Sequence, residues 1–233
     1  NKFADIPAML GNESCFYAYA EKKFGTGKDV KNLIFIDINV GIGAGIILND
    51  EIYTGSFGLA GEIGHITIDM NSSKCKCGNR GCLEMFASIP AISQKIIFGM
   101  MSGQKTKMHE IIGSDYGKIN ADMIRQGIDL EDELVLQVVN EAADKLAYGI
   151  NNIINFFNPQ VVVIGGEIVK LGAVFIDKVE LSLKDIALKP NIGKVKVQYS
   201  GDYGNAATLG GAAYVLDNIF KTGAWEEKGL MNR

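Results

Sequence analysis

GEIGH at residues 61–65 and CKCGNRGC at residues 75–82 are the two segments that say most about this chain of 233 residues. Together they supply one imidazole and three thiols, from His65, Cys75, Cys77 and Cys82. Three thiolates and one imidazole complete a tetrahedral coordination shell, which is the closed arrangement of a structural zinc site. A catalytic zinc keeps one position for water, so this set predicts a structural zinc.

Two alternatives to zinc arise from the same residues. Clustered cysteines can form disulfides in an oxidising compartment, and all four side chains could be buried without any ligand. The first residues lack a basic region followed by an apolar one, so no secretory signal is expected, and a reducing compartment favours metal binding. We therefore expect zinc to hold the segment at 54–82, which is too long for a plain turn. The fourth cysteine, Cys15, is expected to be an ordinary buried thiol.

Apolar strands alternate with helical patterns along the rest of the chain, which predicts an α/β fold. Asn49-Asp50 between two apolar runs indicates a hairpin turn. The clearest helix is expected over residues 129–157, ended by Asn158-Pro159, because the residue before proline disfavours the helical conformation. The other predicted elements are strands at 33–39 (LIFIDIN), 161–164 (VVVI) and 195–199, and helices at 168–188 and 205–220.

The composition is that of an ordinary globular protein, with 47% hydrophobic and 21% charged residues. A formal net charge of -4 argues against a broad nucleic-acid-binding face in this part of the chain. No apolar run reaches the roughly 18 residues that a transmembrane helix needs, so a cytoplasmic protein without a membrane partner is expected. The chain does not begin with Met, which favours a fragment of something longer.

The GEIGH segment followed by Cys-x-Cys-Gly-x-x-Gly-Cys-x-Glu resembles the signature of the ROK family (repressor, open reading frame, kinase). Further matches are Asn12-Glu13, Gly41-Ile42-Gly43, and Asn158-Pro159 leading to residues 164–166. The family contains bacterial sugar kinases and sugar-responsive repressors on an actin-like ATPase (ribonuclease H-like) fold. The resemblance implies that residues 1–233 are the sugar-binding effector region, mostly the C-terminal lobe with a zinc-pinned loop. The DNA-binding domain and the first part of the N-terminal lobe are expected to be absent.

The resemblance also implies which residues face a sugar. Carboxylates suit this role because they accept hydrogen bonds from several hydroxyls at once. His65 is expected to bind zinc with one ring nitrogen and a sugar hydroxyl or a supporting group with the other. Glu84 has the alternative role of a carboxylate at a helix N-terminus. The implied sugar-binding residues are Asn12, Glu13, Glu62, His65 and Glu84.

The glycine segments that handle ATP in the family's kinases are expected to be degenerate here. Those kinases typically read Gly-Thr-Gly-Ile-Gly-Gly-Gly where residues 39–45 read NVGIGAG. Val40 removes a hydroxyl, and Asn39 and Ala44 replace glycines that permit close approach of a phosphate. Glu167 brings negative charge where kinases usually have a small residue. The glycines assigned to this degenerate nucleotide loop are Gly41, Gly43, Gly45, Gly165 and Gly166.

The position of the kinases' general base also differs. Those enzymes read Asn-Asp-Ala-Asn where residues 12–15 read NESC. The longer Glu13 side chain displaces its oxygens by about 1 Å or more, which can cost on the order of a hundredfold in rate. The glycine-segment changes fall on the side that handles ATP, whereas the sugar motif beside the zinc ligands is intact. This asymmetry predicts a protein that binds sugar and has no catalytic residue.

The pattern most resembles the family's xylose-repressor branch and predicts a sugar-responsive repressor. Its expected effector is a monosaccharide, xylose or a hexose, that lowers operator affinity by shifting a conformational equilibrium. Operator DNA would be bound through the missing N-terminal domain, and the protein would form a homodimer or tetramer. Two alternatives stay open: an ATP-dependent sugar kinase with Glu13 as general base, and a structural or oligomerisation module that has no ligand.

Overall fold

A five-stranded mixed sheet forms the centre of the computed structural model, which describes residues 10–113, 116–191, 193–201 and 205–222. The strand order is β3-β2-β1-β4-β5, in which β1, β4 and β5 are parallel while β2 and β3 are antiparallel to their neighbours. The predicted α/β class is therefore confirmed. The strands are β1 (Leu33–Ile38), β2 (Ile42–Leu48), β3 (Glu51–Ile52), β4 (Val161–Gly165) and β5 (Lys196–Tyr199).

Helices cover both faces of this sheet, so the central strands β1 and β4 are buried on both sides and are almost entirely apolar. Alternate β1 residues point to opposite faces: Ile34 and Ile36 face α3, α5, α6 and α7, whereas Leu33 and Phe35 face α1 and α8. The helices within the described residues are α1 (Glu13–Phe24), α2 (Glu84–Ala87), α3 (Ile89–Met101), α4 (Met108–Ile112), α5 (Ala121–Asp129), α6 (Glu133–Phe157), α7 (Ala173–Ile186) and α8 (Ala206–Thr222).

The hairpin predicted at Asn49-Asp50 is confirmed as the β2–β3 turn. Both residues have positive φ, 52° and 69°, which Asn and Asp tolerate better than other side chains do. The pair therefore fits a tight turn that matches the twist of the flanking strands.

The helix predicted over residues 129–157 is confirmed as α6, which starts four residues later than predicted, at Glu133. The α5 helix ends at Asp129, and α6 starts after Asp132, whose carboxylate accepts a hydrogen bond from Val135 N at 2.9 Å. This N-cap, together with a bond from Thr106 Oγ1 at 2.8 Å, fixes the start of α6. At the other end Asn158 adopts a left-handed conformation, so the predicted termination before Pro159 is confirmed.

The helix predicted over residues 168–188 begins as a 3₁₀ turn and becomes α-helical only at Ala173. Gly172 separates the two with a φ of 77°, which ends the first turn. No helix within the described residues is long and apolar enough to cross a membrane.

Part of the predicted glycine loop is a strand. Gly43 and Gly45 lie inside β2, and only residues 39–41 bend. The physical reason is the close approach of α1: a Cβ on Gly45 would lie 2.0 Å from the Ser14 carbonyl oxygen. These two glycines therefore seat α1 on the sheet.

Candidate functional site

The first residues of β2 bring two of the predicted sugar-binding segments together. Glu84, at the start of α2, accepts a hydrogen bond from Ile42 N at 3.2 Å through Oε2. The GEIGH turn contacts the same residue, since a Cβ on Gly64 would lie 2.3 Å from the Ile42 carbonyl oxygen. Gly41 leaves room for Glu84, whose Oε2 lies 2.9 Å from where a Cβ on Gly41 would stand. Glu84 and His65 thus flank one strand end.

The start of α1, which carries Asn12 and Glu13, lies against Gly43 of β2 through Ser14. Asn12 is the N-cap of α1 and accepts a hydrogen bond from Ser14 N at 2.9 Å. Ser14 packs on Gly43, with its Oγ 2.9 Å from where a Cβ there would stand. Glu13 is exposed and accepts a hydrogen bond from Tyr17 Oη at 3.4 Å. Asn12 therefore has a structural role as a cap, while the Glu13 carboxylate remains accessible.

Glu62 is exposed and its side chain makes no hydrogen bond to another described residue. It precedes the 3₁₀ turn Ile63–His65 and lines a largely apolar cavity of about 430 Å³ with Tyr53 and Phe157. A carboxylate without an internal partner is free to accept hydrogen bonds from a ligand.

The four predicted metal ligands come together. Their ligand atoms all lie within 4.8 Å of one another, with His65 Nδ1 4.0 Å from Cys75 Sγ and Cys77 Sγ 3.6 Å from Cys82 Sγ. Tetrahedral zinc with a metal–sulfur bond of about 2.3 Å separates its sulfurs by roughly 3.8 Å. The donor set and its spacing therefore fit a metal ion, and these four side chains could hold one.

A small irregular hairpin positions these four side chains, which we call the metal cluster. Thr67 and Cys82 form an isolated bridge, and Cys75 N donates to the Asn79 carbonyl oxygen at 2.7 Å. The Asn79 side chain donates to the His65 carbonyl oxygen at 3.2 Å and to Thr67 Oγ1 at 3.0 Å. These hydrogen bonds orient the two halves of the cluster relative to each other.

The thiols of the cluster differ in acidity. Burial, together with the nearby Cys77 and Cys75 thiols, raises the pKa of Cys82 to about 12. A hydrogen bond with the backbone of Asn79 lowers the pKa of the exposed Cys77. A metal ion has to displace the Cys82 proton, so metal binding would release protons and weaken at acidic pH.

The predicted nucleotide side lies at the carboxyl ends of β1 and β4. Gly165 ends β4, and Gly166 follows with a φ of 87°. The Asn39 side chain spans the gap between the two strands: its Nδ2 donates to Asp37 Oδ1 at 2.9 Å, and its Oδ1 accepts from Glu167 N at 2.7 Å. The predicted replacement of a glycine by Asn39 thus places an amide between the two glycine segments.

Asp37 was not among the residues predicted from the sequence to belong to a site. It is a carboxylate in an otherwise apolar strand, LIFIDI, and that pattern is the signal that could have found it. Burial and, to a smaller extent, the negative charge of Glu13 raise the pKa of Asp37 from 3.8 to about 6, although the hydrogen bond from Asn39 opposes the rise. The carboxylates of Glu13 and Asp37 are therefore close enough to repel each other at the start of α1.

We expect Asp37→Asn to stabilise the protein at pH 7. The folded protein holds the Asp37 proton more tightly than the unfolded chain does, so the free energy of unfolding falls as pH rises from about 4 to about 6. The amide keeps an acceptor for Asn39 and carries no charge. The gain is on the order of 1–2 kcal/mol, since a half-buried group is partly screened by water.

Thermal unfolding between pH 4 and 8 measures this effect. The variant should show a smaller decline in Tm between pH 4 and 6 than the parent protein. Asp29→Asn, which changes an exposed carboxylate, is the matched control and should leave the profile unchanged. Parallel profiles for Asp37→Asn and the parent would contradict the assignment.

Comparison with known proteins identifies the family of this chain. The sequence matches the ROK family over residues 1–218. It is 31% identical over 215 residues to the xylose repressor of Caldicellulosiruptor bescii, covering 92% of this chain and 53% of that protein. It is 29% identical over 214 residues to a glucokinase of Thermotoga maritima, covering 91% of this chain and 66% of that protein.

A solved structure shares the fold. It is a crystal structure of a ROK family transcriptional regulator, described as a homologue of the E. coli MLC protein, with a TM-score of 0.81 and 31% identity. The match covers 91% of this chain and 54% of that one. This chain spans about half the length of the curated xylose repressors it matches. From its matched sequence and its shared fold, the chain belongs to the ROK family.

Proposed function

We propose that this chain is the sugar-binding effector region of a transcriptional repressor, in which a bound monosaccharide lowers the affinity of the whole protein for operator DNA. One observation carries the proposal. The half-buried Glu84 carboxylate and the exposed Glu13 and Glu62 carboxylates lie on segments that contact the first residues of β2. On the nucleotide side, the side chain of Asn39 connects the end of β1 to Glu167. The repressors among the relatives support the same choice.

The proposed sugar site consists of carboxylates and an imidazole on separate segments. The Glu13 and Glu62 carboxylates would accept hydrogen bonds from sugar hydroxyls, and Glu84 would do so with the oxygen that does not bind Ile42 N. Asn12 would contribute mainly by fixing the start of α1. Because these groups lie on three segments of the chain, a sugar that contacts all of them would pull those segments together.

The proposed metal is zinc with a structural role. It would supply a fixed link between His65 and the segment at 75–82, which leads directly into Glu84. Leu83 N donates to the Ile66 carbonyl oxygen at 3.0 Å and gives the same link in the backbone. Holding His65 and Glu84 at a constant separation would preorganise the sugar site.

The remaining partners follow from this proposal. Operator DNA would be bound by an N-terminal domain that the longer relatives have room for, since the match covers about half their length. The working protein would be a cytoplasmic homodimer or tetramer. Sugar binding would shift the population toward an arrangement that no longer fits the operator.

Operator release by a panel of monosaccharides tests the proposal on the full-length protein. Glu62→Gln should raise the sugar concentration needed for half-release by about ten- to a hundredfold, because a hydrogen bond to a charged group is worth roughly 1.5–3 kcal/mol. Operator affinity without sugar should stay the same. Glu110→Gln, an exposed change at a distance from the site, is the control and should respond to sugar as the parent does.

The same preparation separates the alternatives. Operator binding that no sugar alters would overturn the repressor proposal. Release of ADP from ATP that depends on sugar and is lost in Glu13→Gln would establish the kinase alternative. A protein whose Tm no sugar raises would be a structural module.

A further inference from the structure

The Asn39 side chain uses a hydrogen-bond donor that glycine-rich nucleotide sites offer to phosphate. Such sites hold phosphate oxygens with backbone N–H groups that glycine leaves uncovered. Here Glu167 N, the first amide after Gly165-Gly166, donates to Asn39 Oδ1 at 2.7 Å. The donor is thus already satisfied from within the chain.

The space around Gly166 is also filled. A Cβ on Gly166 would stand 2.7 Å from Asn39 Oδ1, 2.8 Å from Asp37 Oδ1 and 2.5 Å from the Ile38 carbonyl oxygen. Three oxygens therefore lie against the backbone of this glycine. A phosphate oxygen approaching the same backbone would meet other oxygens, one of them a carboxylate.

The neighbouring cavity offers no compensating positive charge. It has a volume of about 570 Å³ and is lined by Asn39, Glu167, Gln94 and Asn120 among mainly apolar residues, and none of its described lining residues is Lys or Arg. Lys170 is close to Glu167, but its ammonium group already pairs with Glu167 at 2.8 Å and with Asp122 at 3.0 Å. A bound polyphosphate would therefore lack cationic partners within this cavity.

We propose that Asn39 is a specificity-determining residue that takes the place of a phosphate oxygen between the two glycine segments and so excludes nucleoside polyphosphates. The inference rests on the proposed function and deepens it, because it leaves the uncharged sugar as the ligand that controls the protein. Exclusion depends on one side chain with two hydrogen bonds, to Asp37 and to Glu167 N.

Calorimetric titration of the full-length protein with the magnesium complex of AMPPNP tests this inference. The parent should show no binding at millimolar concentrations. Asn39→Gly, which restores the residue typical of the kinases, should bind at least tenfold more tightly. Asp37→Asn combined with Asn39→Gly should bind more tightly still, and it provides a second variant if the first folds poorly. Asn49→Gly makes the same change in the β2–β3 turn, where φ is positive, and should match the parent.

Adenosine and the sugar panel complete the experiment. The gain in Asn39→Gly should be confined to the phosphate-bearing ligand, so adenosine should bind the variant and the parent equally. Nucleotide binding by the parent, no gain in either variant, or an equal gain for adenosine would each overturn the role of Asn39. Sugar-dependent operator release is read on the same parent preparation. Its absence alone would refute the proposed function, and AMPPNP binding by the parent alone would refute this inference.

Discussion

Cys82→Ser is expected to abolish zinc binding at the proposed site and to lower the free energy of unfolding by about 3 kcal/mol or more, since structural zinc contributes directly to folding. Cys82 is fully buried and sits where the hairpin of the metal cluster joins α2. Its loss leaves three ligands, and a weakened cluster no longer ties His65 to the segment that carries Glu84.

Metal content and thermal unfolding measure this prediction together. The parent should contain one zinc ion per chain, and a strong chelator should lower its Tm by roughly the amount that Cys82→Ser does. Cys15→Ala is the matched control: this thiol is also buried, at 5% exposure, but lies outside the cluster, so the variant should keep its zinc. Some loss of Tm is expected there from the packing defect alone.

The pH dependence gives an independent check. Since burial raises the pKa of the Cys82 thiol, the zinc affinity should fall as the pH is lowered, and each ion bound should release protons into a weak buffer. A parent protein purified without metal, whose Tm is indifferent both to chelator and to added zinc, would contradict the assignment. The four side chains would then be buried residues that serve packing alone.

Much of the fold could be predicted from the sequence because the patterns that indicate it are local and strong. The β2–β3 turn followed from Asn49-Asp50, and the two central strands followed from short apolar runs that are typical of strands buried on both faces. The metal cluster could be predicted from residue types and spacing, since one His and three Cys within about twenty residues form a typical zinc-binding pattern. That the four side chains come together could also be predicted, because a hairpin that short has few conformations.

Other features could not be predicted, because they depend on tertiary contacts that no local sequence pattern indicates. Gly43 and Gly45 look like parts of a phosphate loop, but they lie in a strand because α1 approaches the sheet at that point. The break before α6 depends on Asp132, whose cap is reinforced by Thr106 from a distant segment. Asp37 could be assigned a raised pKa only once its burial and the proximity of Glu13 were known.

Gly61→Ala is expected to be among the most damaging single substitutions in the chain. Gly61 has a φ of 98°, and a Cβ there would stand 2.0 Å from the Ala44 carbonyl oxygen, which belongs to β2 and cannot move aside. Ala44 N also donates to the Gly61 carbonyl oxygen at 2.8 Å, so displacing Gly61 breaks that bond. Strain, clash and a lost hydrogen bond together should exceed about 4 kcal/mol.

Gly78→Ala separates the clash from the backbone strain. Gly78 has nearly the same φ, 97°, but nothing lies within 4 Å of where its Cβ would be. It should therefore cost only the strain, about 1–3 kcal/mol. Gly58→Ala, with a φ of 73° and equally open space, is a second control outside the metal cluster. Chemical denaturation of the three variants gives the comparison, and equal losses in the free energy of unfolding for Gly61→Ala and Gly78→Ala would contradict the close contact with β2.

Because Glu62 directly follows Gly61, any Gly61→Ala protein that does fold should also lose its response to sugar, whereas Gly58→Ala should keep it.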